Sequence, residues 1–98
     1  MNTKIHAIHF DISEQLETYA IKKIAKLEKL TDEIINVDFY LKVVKPETSA
    51  NKEVEIKVTI PNAEFFASKI FDTFEESIDT AIDAIEKQII KYKEKARV

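Results

Sequence analysis

The sequence of 98 residues contains no glycine, and this absence limits the loops that the chain can build. Glycine adopts positive φ without a steric cost and allows the backbone to approach a bound phosphate closely. A P-loop, a dinucleotide-binding fingerprint and a nucleophile elbow all require glycine at fixed positions. The sequence therefore excludes the nucleotide-binding and hydrolase folds that depend on these loops.

The composition is typical of one globular domain without covalent cross-links. Hydrophobic residues make up 45% of the chain, which is enough for a single core in a protein of this length. Cysteine is absent, which excludes disulfides, thiol nucleophiles and thiolate metal sites. The chain has neither an apolar run of the roughly 20 residues that span a bilayer nor a secretory signal. We therefore expect one domain over residues 1–98, located in the cytoplasm and not in a membrane.

Two kinds of hydrophobic periodicity divide the chain into strands and helices. Strands are predicted at residues 4–10, 37–43, 54–60 and 64–71, with a polar loop at 46–51 between the second and third. Helices are predicted at residues 14–30, with Ser13 as N-cap, and after Thr73. Thr73 and Glu76 have the spacing of a capping box, and Asp72 and Glu75 offer an equivalent one a residue earlier.

This order predicts an α+β fold, β-α-β-β-β-α. A four-stranded, mostly antiparallel sheet with both helices packed on one face would bury the apolar residues of every element. The predicted core consists of Ile24, Leu27, Val37, Phe39, Ile56, Val58, Ile78, Ile82, Ile85 and Ile89.

The side chains that could support catalysis give little evidence for an enzyme. His6 and His9 are three residues apart in a predicted strand, so they should lie on opposite faces and cannot share a metal. Asp79 and Asp83 share one helix face, but beside Glu75 and Glu86 they are typical of a solvated flank. A small hydrolase therefore has the least support among the possible functions.

Lysines cluster on one side of each predicted helix. In the first helix Lys22, Lys26 and Lys29 fall within ~60° of one another, and Lys23 lies at the edge of the apolar stripe. In the last helix Lys87, Lys91 and Lys95 repeat every four residues. Residues 87–98 carry five positive charges and one negative, a net of +4, so residues 1–86 carry −7 of the total of −3.

Two interpretations of these charges remain open. If both helices lie on the same side of the sheet, the lysine rows can border one cationic groove, which suits the phosphates of structured RNA. Helix dipoles and solvation favour the same distribution of charges, however. The alternative is a protein–protein adaptor that uses the acidic flank of the last helix, formed by Glu75, Asp79, Asp83 and Glu86.

Both helices resemble those of a known family. The segment from Ser13-Glu14-Gln15-Leu16 to Lys22-Lys23-Ile24-Ala25-Lys26-Leu27-Glu28-Lys29 is similar to the first helix of the ribosome hibernation-promoting factors. This family includes the ribosome-associated inhibitor proteins and was once called the sigma-54 modulation proteins. Its last helix, with an Ala-Ile-Asp motif, a basic residue before Gln and a Lys-x-Lys-x-Lys ending, resembles Ala81-Ile82-Asp83 and the sequence up to Lys95. A glycine-containing turn of the relatives is replaced here by Pro61-Asn62-Ala63.

The resemblance implies a fold similar to the double-stranded-RNA-binding domain and a short form without the C-terminal dimerisation domain of longer relatives. It implies a non-enzymatic protein that binds small-subunit rRNA, overlaps the mRNA channel and tRNA sites, and silences bacterial ribosomes during slow growth and stationary phase. The implied partner is the small ribosomal subunit, with no cofactor, metal, membrane or small-molecule substrate, and the protein is expected to be monomeric off the ribosome. The RNA-binding residues that it implies by position are Lys23, Lys26, Lys29, Lys87, Lys91, Lys93 and Lys95. Lys22 and Arg97 extend the same basic regions.

Overall fold

The computed structural model describes residues 2–44 and 50–96, which form six elements in the predicted order. The strands are β1 (Asn2–Ile8), β2 (Asn36–Val43), β3 (Lys52–Ile60) and β4 (Ala63–Phe71). The helices are α1 (Glu14–Glu28) and α2 (Phe74–Ala96). Within the described residues, neither helix has an apolar stretch that could traverse a bilayer.

The four strands form one mixed sheet in the order β1-β2-β3-β4. β1 runs parallel to β2, and the other neighbouring pairs are antiparallel. The parallel pair requires a long crossover, which α1 provides, whereas the antiparallel pairs need only short connections. The predicted mostly antiparallel sheet is therefore confirmed.

Both helices pack on the same face of this sheet. The inward residues of β2 and β3, such as Phe39 and Ile56, lie opposite each other and are fully buried. One hydrophobic cluster joins them to the apolar stripes of α1 and α2, so the helices share a single core with the sheet. All of the predicted core residues are buried: Ile24, Leu27, Val37, Phe39, Ile56, Val58, Ile78, Ile82, Ile85 and Ile89.

Local hydrogen bonds determine where the helices begin. The Ser13 hydroxyl accepts a hydrogen bond from the Leu16 N–H (3.1 Å), and the Thr73 hydroxyl accepts one from the Glu76 N–H (3.2 Å). These bonds satisfy backbone donors that have no partner inside a helix. Asp72 does not cap α2 but accepts a hydrogen bond from the Ala50 N–H. Of the predicted loop at 46–51, only residues 50 and 51 fall within the described chain.

The first strand differs from its predicted position. It covers residues 2–8 and not 4–10, because His9 adopts a positive φ of 70° and ends the strand there. The prediction that His6 and His9 share a strand is therefore wrong. His6 lies on β1 and stacks on Tyr40 with ring centroids 4.7 Å apart, whereas His9 belongs to the following turn. Among the described residues, no three His, Asp or Glu side chains converge as metal ligands would.

Candidate nucleic-acid interface

The side chains between α1 and α2 determine which surfaces the two helices present to a partner. α2 packs on β3 and β4, and α1 lies beside it. At ~100° per residue, Asp79, Asp83 and Glu86 fall on one stripe of α2. Asp79 contacts α1 directly, so this acidic stripe faces the first helix.

Asp79 accepts contacts from two residues of α1 that are one helical turn apart. The Tyr19 hydroxyl donates a hydrogen bond to Asp79 Oδ1 (2.7 Å), and Lys23 Nζ lies 3.1 Å from the same oxygen. Lys23 Nζ is also 5.3 Å from the centre of the Tyr19 ring, within the range of a cation–π contact. We call Tyr19, Lys23 and Asp79 the Asp79 cluster. It forms a polar connection between the two helices at their exposed edge.

The protonation equilibria of this cluster reflect its hydrogen bonds. The hydrogen bond to Asp79 raises the pKa of the Tyr19 hydroxyl, with a further contribution from burial. The interaction with Asp79 also raises the pKa of the Lys23 ammonium group. Burial acts to raise the pKa of Asp79, but the hydrogen bonds from Tyr19 and Lys23 outweigh it and the pKa is lowered overall. Asp79 is therefore a charged carboxylate at neutral pH that is half exposed, as expected of a solvated flank, and that also has two partners on α1.

A groove of about 390 Å³ lies between the helices, and its walls carry opposite charges. α1 contributes Lys23 and Lys26, whereas α2 contributes Asp79, Asp83 and Glu86. The prediction that both lysine rows border one cationic groove is therefore wrong, because the acidic flank of α2 faces α1. The lysine row of α2 starts one turn after Asp83 and follows the outer side of the helix, with Lys87, Lys91 and Lys95.

The predicted RNA-binding residues fall into two groups. Six of them have exposed side chains, and one of these six, Lys26, also lines the groove: Lys22, Lys26, Lys29, Lys87, Lys91 and Lys95. Lys87 pairs with Asp83 (3.2 Å), but the side chains are 77% and 62% exposed, so water competes with the pair. These six lysines, which we call the outer lysines, are accessible to phosphates on both sides of the acidic groove.

The second group makes contacts within the protein. Lys23 belongs to the Asp79 cluster and is only 23% exposed. Lys93 extends from α2 to the end of α1, where its ammonium group donates a hydrogen bond to the Leu30 carbonyl. Arg97 lies outside the described residues.

Sequence periodicity did not identify the side chains that join the helices to each other and to the sheet. The helical periodicity places Tyr19 only at the edge of the apolar stripe of α1, and Gln88 enters the sequence pattern only as the residue after Lys87. The Gln88 side-chain amide exchanges two hydrogen bonds with the backbone of Phe66 in β4 (2.8 and 3.3 Å). Ser77, which is fully buried, donates a hydrogen bond to the Lys52 carbonyl (2.6 Å). A polar residue at the boundary of an apolar helical stripe was the only available signal for these contacts.

Comparisons with known proteins agree with the resemblance of the two helices. The family model described as "Sigma 54 modulation protein / S30EA ribosomal protein" matches residues 3–97. A ribosome hibernation promoting factor of Pseudomonas putida is 30% identical over 95 residues, which cover 97% of this chain and 89% of the relative.

Solved structures show the same fold. A ribosomal subunit interface protein from Coxiella burnetii superposes with a TM-score of 0.85 at 26% identity, covering 95% of this chain and 98% of that one. The N-terminal domain of Thermus thermophilus Protein Y superposes with a TM-score of 0.80 at 22% identity, covering 94% and 99%. The names of these relatives describe ribosome hibernation and a subunit interface, and none of them describes an enzyme. The match over residues 3–97 shows that this chain belongs to the sigma 54 modulation protein / S30EA ribosomal protein family.

Proposed function

We propose that this protein is a cytoplasmic ribosome hibernation factor that binds rRNA of the small ribosomal subunit and blocks the mRNA channel and the tRNA sites. The proposal is supported by family membership over residues 3–97 and by the relatives named for hibernation and the subunit interface. The observation that supports the proposed contact with RNA is the position of the outer lysines. All of them are exposed on the two helices, opposite the sheet.

The mechanism requires only binding. The outer lysines neutralise phosphates on either side of the acidic groove, and the bulk of the domain then excludes mRNA and tRNA from the same space. No bond is formed or broken, and the protein acts as a monomer without a cofactor. Translation should therefore recover when the protein dissociates.

The first prediction tests the lysine row of α2. Lys87, Lys91 and Lys95 changed together to Glu should abolish co-sedimentation with purified small subunits, because three attractive charges become repulsive. The fold should be preserved, since all three side chains are exposed and surface substitutions usually change the stability by less than about 0.5 kcal/mol each. The measurements are co-sedimentation, displacement of a labelled mRNA from the subunit, and circular dichroism of the free variant.

The matched control changes Glu75 and Glu86 to Gln on the acidic flank. Asp79 is left intact because it joins the helices. The hibernation proposal expects this control to bind small subunits at least as tightly as the wild type. The adaptor alternative would be favoured if the acidic control lost the function while the lysine variant retained it. Wild-type affinity of the folded lysine variant in moderate salt would refute the RNA contact.

A further inference from the structure

Contacts between polar groups join α1 to α2 at two separate places along the helix pair. The Asp79 cluster connects the first turns of α2 to the middle of α1. Lys93 bonds the Leu30 carbonyl at the other end, about 21 Å further along α2 at 1.5 Å per residue. Two separated contacts restrict both the distance between the helices and the angle at which they cross. The buried apolar stripes alone leave more freedom, since apolar packing is not directional.

Lys23 and Lys87 are both paired with an aspartate, but their surroundings differ. Lys87 pairs with Asp83 on its own helix, and both side chains are mainly in water. Lys23 pairs with an aspartate on the other helix, which also accepts a hydrogen bond from Tyr19, and its side chain is 23% exposed. Moving Lys23 to a phosphate would break the contact between the helices, whereas moving Lys87 would not.

The outer lysines can bind a rigid partner well only if their spacing is set before binding. Three of them lie on α1 and its C-cap residue Lys29, and three lie on α2, so the spacing between the two sets depends on how the helices are held. Fixing that spacing in the free protein removes an ordering cost from the binding step. From this geometry we infer that the Asp79 cluster holds the helices at the spacing required for RNA binding, and that Lys23 is a positioning residue and not a phosphate ligand. The inference rests on the proposed function.

Two isosteric substitutions four residues apart test this inference, because it predicts that one weakens the binding of small subunits and the other strengthens it. Asp79→Asn and Asp83→Asn each remove one negative charge from the same flank of α2. If Lys23 were a phosphate ligand restrained by Asp79, both variants would release a lysine and strengthen binding. A positioning role predicts that Asp79→Asn weakens binding to purified small subunits by at least about threefold. Asp83→Asn should instead strengthen binding by about twofold, since it only removes a repulsive charge and releases Lys87.

Affinities are measured by titrating fluorescently labelled protein with small subunits at constant Mg²⁺, at a temperature at which circular dichroism shows that each variant is folded. Tyr19→Phe provides a milder test if Asp79→Asn is poorly folded, because it removes only one hydroxyl and should also weaken binding. The inference is overturned if the folded Asp79→Asn or Tyr19→Phe variant binds as tightly as the wild type or more tightly. In that case the wild type still binds and the proposed function stands. If the wild type and Asp83→Asn both fail to bind, the proposed function fails and the inference fails with it.

Discussion

Asp79 lies in an acidic stripe of α2, yet its carboxylate joins the two helices. Asp83 lies one turn further along α2 and carries the same charge, yet among the described residues it pairs only with an exposed lysine of its own helix. Asp79 instead receives a hydroxyl and an ammonium group from α1. The difference arises because Tyr19 and Lys23 lie one turn apart on the flank of α1 that faces α2.

The second prediction follows from the lowered pKa of Asp79. A carboxylate whose pKa is lower in the folded state stabilises the fold above its unfolded value, 3.8, and loses this contribution as the pH falls through its folded value. At pH 7 Asp79→Asn should therefore be less stable than the wild type, by less than about 1 kcal/mol because the carboxylate is half exposed and screened by water. The difference in unfolding free energy between the two proteins should shrink as the pH is lowered below 3.8.

Urea denaturation of both proteins between pH 7 and pH 2.5 measures this difference. Asp83→Asn serves as the control, since no contact joins Asp83 to α1 among the described interactions. A difference between wild type and Asp79→Asn that stayed constant over this range would contradict the assigned ionisation. At the alkaline end, Lys23 and Tyr19 have raised pKa values, so their contributions should be lost only as the pH rises through those values.

Backbone conformation at single residues accounts for part of what the sequence did not predict. His9 and Asn62 both adopt a φ of 70°, in a region that glycine usually occupies. At Pro61-Asn62 the turn was predictable, because proline followed by a residue with positive φ is the pattern of a type II turn and Asn tolerates that region. At His9 no turn residue marked the position. The predicted strand therefore continued two residues too far and began two residues too late.

At the scale of elements, period-2 and period-3.6 patterns predicted the order of the strands and helices and the buried faces of β2, β3, α1 and α2. Their success depends on burial, because Phe39, Ile56 and Ile82 are all at most 2% exposed. The same patterns could not show which flank of α2 lies beside α1. That choice depends on the order of the helices across the sheet, and the periodicity of one helix contains no information about its neighbour. The acidic wall of the groove could therefore be found only in three dimensions.

Gln88 connects α2 to the outer strand of the sheet, and the third prediction concerns this contact. β4 is an edge strand, and the amide of Gln88 pairs with both the N–H and the C=O of Phe66. Gln88→Glu keeps the acceptor but replaces the donor with an oxygen that repels the Phe66 carbonyl. We expect the unfolding free energy to fall by about 0.5–1.5 kcal/mol, the net contribution of a hydrogen bond, because the exposed Phe66 carbonyl can bind water in its place.

The matched control is Gln15→Glu, an exposed glutamine in the first turn of α1, where a negative charge is favoured by the helix dipole. The unfolding free energy of the Gln15→Glu variant should not be lower than that of the wild type. Urea denaturation at pH 7 compares the two variants with the wild type. Equal stability of Gln88→Glu and the wild type would show that the paired amide adds nothing to the docking of α2 on β4. The open edge should also make the Gln88 variant more prone to aggregate, because unpaired edge strands associate.

For the whole molecule, the distribution of charge is more informative than its sum. The net charge is −3, yet the outer lysines all lie on the surface formed by the two helices. The opposite surface, the open face of the sheet, carries three lysines and four carboxylates: Lys4, Lys42, Lys57, Asp38, Glu53, Glu55 and Glu64. Several of these are already paired across strands, including Lys42 with Glu55 and Lys57 with Glu64. The helices also carry carboxylates, in their first turns and along the groove, so a polyanion is attracted to the outer lysines themselves and not to the helical surface as a whole.

This asymmetry gives the last prediction, which concerns the response of small-subunit binding to salt. If binding followed the net charge, added salt would screen a repulsion between two anions and the affinity would rise. If the outer lysines neutralise phosphates, salt must lower the affinity, with a slope of log K against log salt of about −4 to −5 when all six take part at 0.7–0.9 each. Glu64→Gln on the sheet face reduces the net negative charge without touching the helices and should leave this slope unchanged. Lys91→Gln should make the slope less negative by about 0.7–0.9. Titrations of small subunits between 50 and 300 mM KCl (roughly the range over which such slopes are resolved) at constant Mg²⁺ provide the measurement. A slope of zero or a positive slope for the wild type would refute binding through the outer lysines.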